Sequence, residues 1–256
     1  MLRALAAGMS LPLIITGCGK PGDRAVLANV IFVRGTAIFD NERERARHSQ
    51  AATIASKLAA GDRLETLPNA AAALSLIPGI FIEMGGETEI VIGELRVEKQ
   101  GDAMVDAMKS RRVTLHLNRG VIYASLPSVG SGSCELNVQS GIGTLVAQRG
   151  ALVSMRLTKE AVRIVCVDGE VQWSSARGGP VDRIPEAYFR DYRMNGFRSA
   201  NSNPQLTSVS ENAGAQGDVA ATLETAAGFD DFVLRARNAP APKSSHPIKR
   251  QAAPPP

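Results

Sequence analysis

From Asn29 to Trp173, apolar and polar residues alternate over short runs, and glycine repeatedly breaks the runs. A period of two over roughly four to eight residues marks a half-buried strand, because successive side chains on a strand point to opposite faces. Val30-Ile-Phe-Val33 runs into Arg34-Gly35, and residues 73–76 lead through Pro78-Gly79 to residues 80–84. The Pro-Gly pair supplies a tight turn and predicts a hairpin. Residues 88–92 and 113–117 alternate cleanly, and the second run breaks at Asn118-Arg119-Gly120 before Val121-Ile-Tyr123, which predicts another hairpin. Residues 135–138, 144–147, 151–157 and 161–167 are further strand-like runs, and Asp168-Gly169 predicts a third hairpin into Val171-Gln-Trp173.

Many short strands at intervals of about 8 to 12 residues predict an all-β domain, a single sandwich or jelly-roll-like body of antiparallel strands. Residues 41–58, charged and rich in Ala, and residues 102–110 read as small helical insertions between strands. Residues 184–192 bear aromatics that can pack back on the sandwich, and residues 219–234 read as a short helix. The pattern divides the chain into residues 1–17, a linker over 18–28, the β-domain over 29–195, and a low-complexity, basic, Pro/Ala-rich tail over 196–256. The tail is expected to be disordered, most of all from Asn238 onward, for it lacks the apolar residues that would offset its ordering entropy.

The first segment changes the picture. Met1-Leu-Arg3 is followed by fourteen uncharged residues, Ala4 to Gly17, which lead into Cys18 as Ile15-Thr16-Gly17-Cys18. A permanent span needs about 20 apolar residues, so this stretch reads as an export signal. Its last four residues resemble the bacterial lipobox. That resemblance implies cleavage after Gly17 and a diacylglycerol thioether on Cys18, with palmitate-like acylation of the new amine. Each buried methylene contributes about 0.8 kcal/mol, so two or three chains anchor a protein stably in a membrane. Gly19 and Lys20 follow with no Asp, which favours the outer membrane as the destination from the periplasm.

Charge is unevenly placed. Residues 233–256 hold five bases and no acid, whereas residues 18–232 hold 23 bases against 25 acids. The net charge of +4 therefore belongs to the tail, and the body lacks the basic face that a nucleic-acid partner requires. With only 4% aromatic residues, base stacking is poorly supplied as well. A detachable basic arm could meet an anionic lipid or cell-wall surface, or serve as a solvated spacer.

Chemistry is sparse. His48, His116 and His246 have no metal-ligand spacing, and His116 shares a strand face with Thr114, where an exposed polar role is expected. Gly130-Ser-Gly-Ser133 lacks the spacing of a nucleophile elbow. Gly141-Ile-Gly143 has no third glycine and returns to a strand, unlike a dinucleotide loop. Glu87 and Glu89, two apart, would share one strand face and read as solvated charge. No enzyme activity and no cofactor are expected. Cys134 and Cys166 leave two readings open: a disulfide closing a loop of roughly 32 residues, contributing about 3.5 to 4 kcal/mol, or two buried free thiols.

Over residues 30–173 the order of these pieces resembles the periplasmic FecR domain family. The matching pieces are a strand and Gly at residues 30–35, a leader at residues 58–66, the hairpin at residues 73–82, the Thr-Glu-aliphatic strand at 88–92, the Leu-x-x-Gly at 117–120 and the closing Val-Cys-Val-Asp-Gly-Glu-Val at 165–171. The chain departs from the family at residues 139–143 and 150–153, where aliphatic or small residues replace a Thr-Pro step and an aromatic strand. Family members of this kind read a signal in the periplasm and regulate a sigma factor through a cytoplasmic part. With an export signal at the start, that cytoplasmic part is not expected here. The resemblance thus implies a non-enzymatic contact domain that binds a protein or a cell-wall glycan. A signal-responsive regulator working through a separate membrane partner, and a cell-wall polymer hydrolase, are the alternatives.

Overall fold

The computed structural model describes residues 23–41, 49–99, 108–126, 128, 132–193, 207–208 and 213–238. In its first half the strands are β1 (Asp23–Ala25), β2 (Ala28–Arg34), β3 (Ala37–Asp40), β4 (Gln50–Ala51), β5 (Lys57–Leu58), β6 (Arg63–Thr66), β7 (Ala71–Ile77), β8 (Ile80–Met84) and β9 (Glu89–Lys99). A long strand, β10 (Met108–Ser125), follows. The second half has β11 (Ser133–Gln139), β12 (Gly143–Gln148), β13 (Leu152–Leu157), β14 (Ala161–Asp168), β15 (Glu170–Ser175), β16 (Asp182–Pro185), β17 (Tyr188–Arg193) and β18 (Thr207–Ser208). One helix, α1 (Ala213–Asn238), completes the described chain.

The strands form two sheets that face each other, as the all-β reading expects. Sheet A runs β4-β3-β6-β9-β10-β11-β12-β15-β16, with β1 beside the far half of β9. Sheet B runs β5-β2-β7-β8-β10-β13-β14-β17-β18. Their inner faces share one core, to which Leu64, Ile90, Leu115, Leu136, Leu145 and Trp173 come from sheet A and Leu74, Ile82, Met155 and Ile164 from sheet B. Every one of these lies at an alternate position of its strand, so the period-two pattern is what fills the core.

The strand β10 belongs to both sheets. Residues up to Arg119 pair with β9, and residues from Gly120 onward pair with β13 and β8. Here the sequence reading needs correction: Asn118-Arg119-Gly120 is no hairpin turn, since the strand continues and changes layer. Gly120 sits at φ 91°, and a Cβ there would lie 2.4 Å from the Thr88 Cα. Only glycine combines that left-handed backbone with so close an approach. Buried Thr88 fixes the crossing: its hydroxyl accepts from the Val121 amide at 2.9 Å, and its own amide donates to the Thr66 hydroxyl at 3.0 Å.

Asp168-Gly169 also differs from its hairpin reading. β14 pairs with β13 and β17 in sheet B, while β15 pairs with β12 and β16 in sheet A, so the dipeptide again carries the chain between layers. The Pro78-Gly79 hairpin forms as expected between β7 and β8. In the described parts of the two stretches read as helical, residues 50–51, 57–58 and 108–110 are strand. The expected linker contributes β1, and the segment of residues 184–192 joins the sandwich as parts of β16 and β17.

The wiring of the first half recurs in the second. β6 pairs with β9 around the β7–β8 hairpin of the other layer, and β12 pairs with β15 around the β13–β14 hairpin. At the corners, a Cβ on Gly35 would lie 3.0 Å from the Ala70 Cα and one on Gly169 3.2 Å from the Ala151 Cα, with φ values of 74° and 77°.

Candidate binding groove

α1 is longer than its sequence reading and lies within the stretch read as tail. Seven of its 26 residues are Ala, the best helix former. Its buried positions, Ala215, Asp218, Thr222, Thr225 and Phe229, recur at spacings of three and four, so they form one face. That face rests on the outer surface of sheet B. Ala215 packs with Val165 and Phe189, and at the other end the Phe229 ring stacks on Phe81 with centroids 5.0 Å apart.

Between these apolar ends the contact is polar. The Arg156 guanidinium donates to the Asp218 carboxylate at 2.5 Å, and the Thr225 hydroxyl donates to Glu83 at 2.9 Å. Burial works against the Arg156 charge, but the hydrogen bond and charge of Asp218 outweigh it and hold the pKa of Arg156 above its ordinary value. Burial raises the neighbouring Tyr123 phenol, with the Arg156 charge pulling the other way.

Beyond this seam, α1 and sheet B part to leave an open groove of about 960 Å³. One wall is the helix, through Ala221, Glu224 and Gly228; the other is β2, through Phe32 and Arg34, with the β6–β7 corner at Pro68-Asn69-Ala70. Ala71 and Ala73 of β7 and the Gly85-Gly86 pair make its floor shallow in side chains, so backbone and aromatic rings are accessible there. Phe32 is 44% exposed, high for a phenylalanine on a strand. Carboxylates outnumber cations in the described lining: Glu83, Glu87 and Glu224 face Arg34. Such a groove offers apolar contact and hydrogen bonds to a chain-like ligand of positive charge.

The outer face of sheet A is a different kind of surface. Arg63 bridges Asp40 and Glu89, and Arg119 bridges Glu65 and Glu89. Arg112 pairs with Glu135 across the β10–β11 ladder at 3.2 Å. These exposed pairs satisfy one another and leave little for a ligand.

The residues singled out from sequence fall as follows. Cys18 lies outside the described residues. Cys134 on β11 and Cys166 on β14 are buried free thiols in different sheets. Burial, then the charges of Asp168, Glu186 and Glu170, push the Cys166 thiol up to about 12. Burial also raises Cys134, against the pull of Arg111 and Arg149. His116 is exposed on β10, and Gly141-Ile-Gly143 makes the turn from β11 to β12. Glu87 and Glu89 do not act as a pair: Glu89 is held by Arg63 and Arg119, whereas Glu87, at φ 57°, lines the groove. Among the described residues, no three His, Cys, Asp or Glu side chains converge as metal ligands, and no helix is long and apolar enough to cross a membrane.

Fold and site together define a two-sheet β-sandwich with a helix-bordered groove. No protein-family model matches the chain, and no curated protein matches it. Two crystal structures of a candidate anti-sigma factor from Parabacteroides distasonis, at 1.65 and 2.50 Å resolution, are similar at 11% identity with a TM-score of 0.37. Each match covers 57% of this chain and 57% of the solved one, so it spans little more than half of either.

Proposed function

We propose that the protein is a lipid-anchored, non-enzymatic binding module of the bacterial envelope, with the groove between α1 and sheet B as its ligand surface. The observation that carries the reading is the groove itself: about 960 Å³, floored by small residues, flanked by exposed Phe32 and richer in carboxylates than in cations. The lipobox-like Ile15-Thr16-Gly17-Cys18 supports the anchor, and the FecR-like order of motifs over residues 30–173 supports a periplasmic contact role.

Two arms test it. Intact mass and detergent partitioning of the native protein beside Cys18→Ala check the anchor: loss of residues 1–17 with gain of acyl mass in the wild type alone is expected. A photo-crosslinker at Phe32, in cells, checks the groove. One defined envelope protein captured there, and lost with Glu87→Lys/Glu224→Lys, is expected; equal capture in both would sink the groove as the binding surface.

A further inference from the structure

We infer that the groove is filled in the free protein by the chain's own C-terminal segment, residues 239–256. This regulates the site proposed above and rests on that groove being a binding surface.

The segment follows directly from the helix that builds one wall. It carries Lys243, Lys249 and Arg250 with no acid, and six prolines, at 240, 242, 247, 254, 255 and 256. Its charge complements Glu83, Glu87 and Glu224, which outnumber Arg34 among the described residues of the groove. Proline-rich sequences favour the extended polyproline II form, which has no internal hydrogen bonds and loses little entropy on docking. Grooves lined by aromatic rings are the usual receptors for such segments, and Phe32, Tyr123 and Phe229 line this one.

The reach is sufficient. From Phe229 to the helix end at Asn238 is about 14 Å at 1.5 Å per residue. Pro240 and Pro242 cannot continue a helix, so the chain is free to turn back there. Five extended residues from Asn238 to Lys243 span up to about 17 Å, enough to return to Phe229. The next six or seven, to Lys249 and Arg250, add about 20 Å and cover the way to Glu224 and Glu87. Because helix and segment are covalently joined, the segment competes at an effective concentration in the millimolar range, and an outside ligand must displace it.

The test uses the full-length protein with p-benzoylphenylalanine placed at Ile248, purified without partners, irradiated and mapped by peptide mass. Crosslinks within one chain to residues 31–34, 68–71 and 221–229 are expected, falling about fivefold in Lys243→Glu/Lys249→Glu/Arg250→Glu, which leaves the folded body untouched. Crosslinks scattered over the surface, a yield indifferent to the charge reversal, or crosslinks only between two copies would each overturn the proposal. Partner capture at Phe32 without tail crosslinks would sink the tail alone. Tail crosslinks without any partner would leave the tail standing and remove the binding reading.

Discussion

At the scale of single residues, the most informative side chain is Cys166. Its thiol is pushed up to about 12 by burial and three nearby carboxylates, whereas an unfolded cysteine titrates near 8.5. Below the unfolded value both states keep the proton and the group has no pH effect. Between the two values the unfolded chain releases a proton that the folded chain retains, so stability falls as pH rises, by about 1.4 kcal/mol per pH unit for one group. Tyr192, raised by its own burial and by Asp182, adds to the fall above about pH 10. Urea midpoints should therefore be flat from about pH 7 to 8 and decline steadily above about pH 9. Cys166→Ala should decline less steeply; an identical slope would mean the thiol is not held protonated. Sequence alone left this cysteine between two roles, because an apolar strand is as good a setting for a packed thiol as for half of a disulfide. His116 was easier to read: its alternation with Leu115 and Leu117 put it on the wet face, where it is found.

At the scale of elements, α1 shows what a periodicity argument can miss. A helix docking on a sheet usually advertises itself by an apolar stripe. Here the docked face is Ala, Asp, Thr, Thr and Phe, so the three-and-four spacing was present but carried polar letters. Its partners, Arg156 and Glu83, sit between buried apolar neighbours on β13 and β8, so nothing in those strands marks them as contacts for a helix. Asp218 is buried while Arg156 is partly exposed, so solvent screens the pair and removing one partner costs less than in a closed core. Asp218→Ala should loosen α1 by about 1 to 2 kcal/mol. Amide exchange of α1 should quicken by about tenfold, with β13 and β14 hardly changed. Uniform acceleration of helix and sheet would show that α1 is part of the core and no separately docked element. The strands themselves were legible, but two of three predicted reversals proved to be changes of layer. Asn-Arg-Gly and Asp-Gly supply a left-handed glycine in either case, and which neighbour the following strand finds is decided by long-range packing on Thr88 or Ala151.

At the scale of the whole molecule, the sharing of β10 ties the two sheets into one cooperative body. Neither sheet can lose this strand without exposing the inner face of the other. Gly120→Ala strikes that junction, where a methyl group would meet Thr88 at less than van der Waals distance and the backbone holds φ 91°. A loss of about 3 kcal/mol or more is expected. The single tryptophan, Trp173, stacked on Tyr192 between the layers, gives one optical probe, and far-UV circular dichroism gives another. Both transitions should move together to lower urea; separate midpoints would show that the sheets melt independently. Gly141→Ala, in open space, is the control and should stay within about 0.5 kcal/mol. The sandwich class was readable from strand spacing. The groove was not, because it arises where distant segments, β2, the β6–β7 corner and α1, happen to leave a gap, and no local pattern encodes a gap.

The recurrence of the same strand wiring in both halves has an evolutionary meaning. When a corner such as Gly35 over Ala70 has a twin in Gly169 over Ala151, one copy can keep the architecture closed while its counterpart varies. In this molecule the Pro68-Asn69-Ala70 corner forms part of the groove, and its twin at Ala151 is not among the described residues that line it. Redundant construction is thus a source of novelty: a descendant of such a chain can change ligands at one corner and inherit its foldedness from the other.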